Sequence, residues 1–129
     1  MTTGSGREDS TPAFDSARLA DISGGDTEFE LEILSDYFAQ NSTLLSELDR
    51  ALSTGDVATV RRAAHTLKGS SRTVGAESVA AIAAEIECLA ATGTLPGGGG
   101  LLARVRHAWA GTQDLLLERF GPDAFRKAG

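Results

Sequence analysis

The sequence has few of the residues that mark disulfide-rich, metal-binding or membrane-spanning proteins. It contains one cysteine, three prolines and 5% aromatic residues in a chain of 129. A single cysteine excludes an internal disulfide framework and provides no metal-ligand spacing. We expect that residue, Cys88, to pack at the edge of an apolar helix face. No apolar run approaches the roughly 20 residues needed to cross a bilayer, so no membrane partner is expected.

The N-terminus also lacks the basic and apolar segments of a signal peptide, so the sequence predicts a cytoplasmic location. The start at Met1 with a polar segment favours a free-standing or designed protein, and the sequence leaves open whether the chain is part of a larger hybrid kinase. The length fits one domain. A net charge of −6 argues against a nucleic-acid partner, because nucleic-acid-binding domains are usually basic.

Charge is distributed unevenly along the chain. Residues 26–52 carry seven acidic residues and one basic residue, whereas residues 56–75 carry four basic residues and one acidic residue. The second segment is therefore a basic exception within an acidic protein.

Apolar residues recur at helical spacing through most of the chain and show no strand-like alternation. The pattern predicts a disordered tail over 1–11, a helical domain over 12–121 and a C-terminal tail over 122–129. Helices are expected over 12–22, 26–52, 56–73, 76–91 and 101–120, with a glycine-rich connector before the last. Amphipathic helices joined by short loops predict an all-α fold, an antiparallel four-helix bundle with a short extra N-terminal helix. We expect a monomer, because the packing of a single bundle buries the apolar stripes of its helices.

Local signals support these helix boundaries. Thr27 and Glu30 have the spacing of a capping box, Asp56 is a good N-cap residue, and Gly75 is suited to a helix C-terminus.

The segment 57–74 places one histidine on an exposed, basic helix surface. At about 100° per residue, its apolar and small residues fall within one arc: Val57, Val60, Ala64, Leu67, Ser71 and Val74. His65 then points about 130° away from the centre of that arc, towards solvent. Arg61, Lys68 and Arg72 flank it. Histidine side chains ordinarily have a pKa of about 6.5 and are mostly neutral at pH 7, which leaves one ring nitrogen nucleophilic.

One turn beyond His65 the helix contains Gly69. Glycine inside a helix costs about 1 kcal/mol relative to alanine, so it usually has a packing or functional reason, and close approach of another molecule is one.

These residues resemble the motif of histidine-containing phosphotransfer (HPt) domains, His-x-Leu-Lys-Gly-Ser, which here reads His65-Thr66-Leu67-Lys68-Gly69-Ser70. The resemblance covers roughly residues 14–120. It implies that His65 accepts a phosphoryl group on Nε2, that Lys68 neutralises phosphoryl charge and that Gly69 clears space for a partner.

Further residues are assigned by the same resemblance or by their position. Ser70 belongs to the motif, and Arg61 and Arg72 are candidates for partner docking. Some family members have a polar side chain on the next helix that bonds the other ring nitrogen, and either Glu85 or Glu87 is in range. His107 lacks the motif and is expected to be structural or exposed.

The function implied is a phosphocarrier that relays a phosphoryl group between aspartates of response-regulator receiver domains, with these receivers or a hybrid histidine kinase as partners. No nucleotide-binding signature is present, so kinase activity is not expected. No metal site or cofactor is expected either, because Mg²⁺ belongs to the receiver. Two alternative functions are compatible with the same fold: a helical adaptor that is never phosphorylated, and a phosphate sink. A nucleic-acid binder is disfavoured by the net charge.

Overall fold

A computed structural model of the chain describes residues 14–93 and 100–121, apart from the side chain of Arg119. This part consists of five helices and contains no strand: α1 (Ser16–Ser23), α2 (Thr27–Thr54), α3 (Val57–Val74), α4 (Glu77–Ala91) and α5 (Gly100–Phe120). Both predicted tails, the predicted helix start at Pro12 and residues 95–99 of the glycine-rich connector lie outside the described residues.

The long helices form a closed four-helix bundle. Helix α3 packs against α2 and α4, and α5 packs against both α4 and α2, while α1 contacts α2 and α3. Two-residue connections after α2 and α3 make these neighbours antiparallel. The predicted all-α bundle with a short extra N-terminal helix is therefore confirmed. Within the described residues, no helix is long and apolar enough to traverse a lipid bilayer.

Aliphatic side chains fill most of the bundle, and three aromatic residues pack together between α2 and α5. The rings of Tyr37, Phe38 and Trp109 have centroid separations of 5.0–5.4 Å, and the two contacts of Phe38 are edge-to-face arrangements, which aromatic pairs favour. Leu19 is completely buried, so this side chain anchors α1 to the bundle.

The N-terminal caps of α2 and α3 contradict one prediction and confirm another. Asp26, and not Thr27, is the N-cap of α2, because its carboxylate accepts from the backbone N–H groups of Glu28 and Phe29. Glu30 is buried and accepts a hydrogen bond from Ser23 at 3.1 Å, so the predicted capping box does not form. Asp56 caps α3 as predicted, accepting from the backbone and hydroxyl of Thr59.

The predicted packing of Cys88 is wrong, because its side chain is exposed. Cys88 lies two residues from the buried Ile86 and two from the buried Ala90. Two residues correspond to about 200° around a helix, so burial of these neighbours directs position 88 towards solvent.

Two polar contacts, one buried and one part-buried, fix the rotation of α3 against α2. The hydroxyls of Tyr37 and Ser71 lie 2.6 Å apart in the core, and burial raises the pKa of Tyr37, so its phenol stays protonated. One residue earlier on α3, Ser70 donates to Oδ1 of the buried Asn41 at 2.9 Å. Because buried polar groups are costly without partners, these contacts disfavour any other rotation of α3.

The turn between α3 and α4 is tied to the N-terminal helix. Gly75 ends α3 with a left-handed φ of 89°, and its carbonyl accepts from the backbone N–H of Asp15 at 2.7 Å. A Cβ atom at position 75 would be closer to the Asp15 carbonyl oxygen than van der Waals radii allow. This turn therefore requires glycine for two reasons, its φ angle and its close neighbour.

We expect Gly75→Ala to lower the free energy of unfolding by more than about 2 kcal/mol, because it combines left-handed strain with a backbone clash. Gly55→Ala is the matched control. Gly55 also ends a helix with a positive φ of 76°, but a Cβ there would meet nothing within 4 Å, so about 1–2 kcal/mol is expected. Urea unfolding of the three proteins measures both values, and equal losses would contradict the role of the Asp15 contact.

Candidate functional site

His65 lies on the outer surface of α3, as predicted. The same helix buries Val60, Ala64 and Leu67, and the side chain of His65 remains 67% exposed. The packing of α3 thus presents the imidazole to solvent.

A single carboxylate from α4 joins His65 to Lys68. Oε2 of Glu87 lies 2.7 Å from Nδ1 of His65, and Oε1 lies 2.6 Å from Nζ of Lys68. The side chains of Glu87 and Lys68 are 21% and 22% exposed, so the carboxylate is largely covered whereas the imidazole is not. Of the two candidates left open by the sequence, Glu87 is the one that reaches the histidine. Glu85 instead forms a two-pronged ion pair with Arg104, each contact being 2.9 Å.

The Glu87 contact determines which ring nitrogen of His65 is available. Hydrogen bonds from Lys68, and secondly from His65, hold the pKa of Glu87 below its ordinary value, so the carboxylate is ionised at neutral pH and can only accept. Nδ1 must therefore carry the proton that it donates. In the neutral ring this leaves the lone pair on Nε2, the nitrogen that does not contact Glu87.

The residues around His65 differ in how far their interactions are already satisfied. Gly69 is exposed, and a Cβ atom there would meet nothing within 4 Å. Ser70 faces α2, where its hydroxyl bonds Asn41 and the backbone carbonyls of its own helix. Arg61 and Arg72 are exposed, and neither forms an ion pair with any residue that the structure describes.

The second histidine is in a separate place. His107 is exposed on α5 and lines a groove between α4 and α5 together with Ile82 and Arg104. It has no carboxylate partner among the described residues. In that part of the chain, no three His, Cys, Asp or Glu side chains are grouped so that they could hold a metal ion.

Sequence reasoning did not anticipate Asn41 and Tyr37, which support α3 from behind. Asn41 is polar but occupies a buried position of α2, which is a signal of a structural hydrogen bond. For Glu87, which the sequence left as one of two candidates, its position beside buried residues favours the contact with His65. Glu87 follows the buried Ile86 and lies one turn after the buried Ala83, so its carboxylate sits at the edge of the packed face and needs partners.

Comparisons with known proteins bear on the family and the fold of the chain. The sequence matches the family described as Hpt domain over residues 32–115, about two thirds of the chain. Among solved structures, the chain is similar to histidine-containing phosphotransfer protein B (HptB) from Pseudomonas aeruginosa PAO1, with a TM-score of 0.77 and 26% sequence identity. That match covers 84% of this chain and 94% of the other. No curated protein matches the sequence.

We expect removal of Lys68 to raise the pKa of Glu87 more than removal of His65 does, because the Lys68 hydrogen bond is the larger cause of its lowering. A ¹³C NMR titration of the glutamate carboxyls in wild type, Lys68→Met and His65→Ala measures this. Glu85, whose pKa is lowered by Arg104, is the internal control and should not change.

The sign of the effect on stability follows from the same shift. A carboxyl whose folded pKa is lowered stabilises the protein above its unfolded pKa of about 4.3, and that contribution is lost as the pH falls through the folded value. An unchanged Glu87 titration in Lys68→Met would contradict the shared-carboxylate geometry.

Proposed function

The chain belongs to the Hpt domain family and is a histidine phosphotransfer protein of a phosphorelay, and on that basis we propose that His65 is the residue that carries the phosphoryl group. The observation that carries this assignment is the hydrogen bond from Nδ1 of His65 to Glu87 on an otherwise exposed ring. It supplies a nucleophilic Nε2 that a partner can reach.

In the proposed reaction, the Nε2 lone pair attacks the phosphorus of an aspartyl phosphate on a receiver domain. The N–P bond forms as the P–O bond to the aspartate breaks, and the electron pair leaves on the aspartate carboxylate. The imidazole gains positive charge and keeps its Nδ1 proton, so the ionised Glu87 stabilises the phosphorylated ring. A second receiver aspartate reverses the step. Such transfers depend mainly on positioning and charge stabilisation.

Lys68 and Gly69 have supporting roles in this proposal. Lys68 has three N–H donors and uses at least one on Glu87, so its remaining donors can face the phosphoryl oxygens. Gly69 fills no internal requirement, since a methyl group there would meet no atom. The open space at this position of the α3 surface therefore suits an approaching receiver.

Hpt proteins interact with receiver domains and kinases in phosphorelays. We propose that this chain docks a receiver, or a hybrid kinase that contains one, on the α3 surface, with Arg72 at its edge and Mg²⁺ held by the receiver. A docking contact of Ser70 stays a prediction, as do the monomeric state, the cytoplasmic location and the absence of kinase activity. The hydroxyl of Ser70 is engaged with α2, which favours a structural contribution.

We expect wild-type protein to acquire label from at least one phosphorylated receiver or hybrid kinase in a panel, and His65→Gln to acquire none. The label should be acid-labile and alkali-stable, as expected of a phosphoramidate. His107→Gln is the matched control, since His107 is also exposed but lacks a carboxylate among the described residues. It should be labelled at the wild-type rate.

Label on His65→Gln would refute the assignment of the site. Binding of receivers without any label on wild type would favour an unphosphorylated adaptor.

A further inference from the structure

Arg61 shares a surface groove with His65. The two residues are four positions apart on α3, so their side chains are neighbours on one helix face. The groove has a volume of about 490 Å³ and is lined by Ala58, Arg61, Arg62, His65 and Glu87. Helical side chains lean towards the N-terminus of their helix, which directs His65 towards the turn of Arg61 and away from Gly69.

Two of the other cations near His65 are already partly neutralised. Lys68 is paired with Glu87 at 2.6 Å, and Arg62 with Glu47 of α2 at 3.4 Å. Arg61 and Arg72 have no acidic partner among the described residues. Along the helix axis, Arg61 is about 6 Å from His65 whereas Arg72 is about 10 Å away. Arg61 is therefore the nearer of the two unpaired cations.

We propose that Arg61 is a catalytic residue whose guanidinium binds the phosphoryl group as it is transferred to Nε2 of His65. This rests on the proposed role of His65, and it replaces the docking role that the sequence suggested for Arg61. Guanidinium N–H groups match the spacing of phosphoryl oxygens and can donate two hydrogen bonds at once. In the transfer, negative charge is spread over three phosphoryl oxygens, and the ion pair with Glu87 leaves Lys68 only partly available for them.

The test separates catalysis from docking by using a small-molecule phosphoryl donor, which cannot dock as a receiver domain does. Phosphoramidate, protonated on its nitrogen, transfers its phosphoryl group to the imidazole. The bond between Nε2 and phosphorus forms, the P–N bond of the donor breaks, and ammonia leaves. Phosphorylation of His65 is followed by mass spectrometry of the peptide that contains it. The proteins compared are wild type, Arg61→Ala, Arg61→Lys, Arg50→Ala and His65→Gln, each checked for an unchanged helical circular dichroism spectrum.

We expect Arg61→Ala to slow labelling by phosphoramidate about tenfold, the effect of one charge-assisted hydrogen bond, and Arg61→Lys to slow it less. Arg50→Ala, at an exposed arginine of α2 that does not line the His65 groove, should stay within about twofold of wild type. A wild-type rate for Arg61→Ala with phosphoramidate would overturn the proposal, even if transfer from a receiver were slower, because that pattern indicates docking alone.

Failure of the underlying function gives a different result. In that case wild type would acquire no label at His65 from any phosphorylated receiver, whether or not phosphoramidate labels the exposed ring, and both proposals would fall together. Labelled wild type with an unaffected Arg61→Ala would remove only the role of Arg61.

Discussion

One carboxylate shared between two side chains is the contact on which the site depends. Glu87 accepts from Lys68 with one oxygen and from His65 with the other. The same group thereby selects the ring tautomer, restricts the ring orientation and restrains the lysine. Since an ionised carboxylate can only accept hydrogen bonds, both donors must point towards it, and Nε2 is left facing away from it.

The rest of the fold serves to bring Glu87 within reach of His65. The two residues lie on different helices, so the short side chain of glutamate can bridge them only where the helices approach closely. Alanines at the buried positions 63, 64 and 83 permit that approach. The rotation of α3 is set from its other side by Tyr37 and Asn41, through Ser71 and Ser70.

Much of this could be predicted from the sequence, because helical periodicity and end signals are local. The apolar arc of 57–74 predicted the exposed position of His65. Asp56 and Gly75 predicted the two ends of that helix. Choosing between neighbouring candidate residues was harder to do from the sequence. Asp26 outcompeted Thr27 as the N-cap, since Glu30 turned into the core to meet Ser23. The choice between Glu85 and Glu87 required the register of α4 against α3, which depends on tertiary packing and not on local pattern.

The most direct test of the account is the tautomer of His65, read from a long-range ¹H–¹⁵N NMR spectrum of the imidazole ring at a pH where it is neutral. We predict that Nδ1 carries the proton and Nε2 the lone pair, and that this preference is lost in Glu87→Ala and retained in Glu85→Ala. A neutral ring that carries its proton mainly on Nε2 in the wild-type protein would contradict it, because the nitrogen proposed to attack phosphorus would then have no free lone pair.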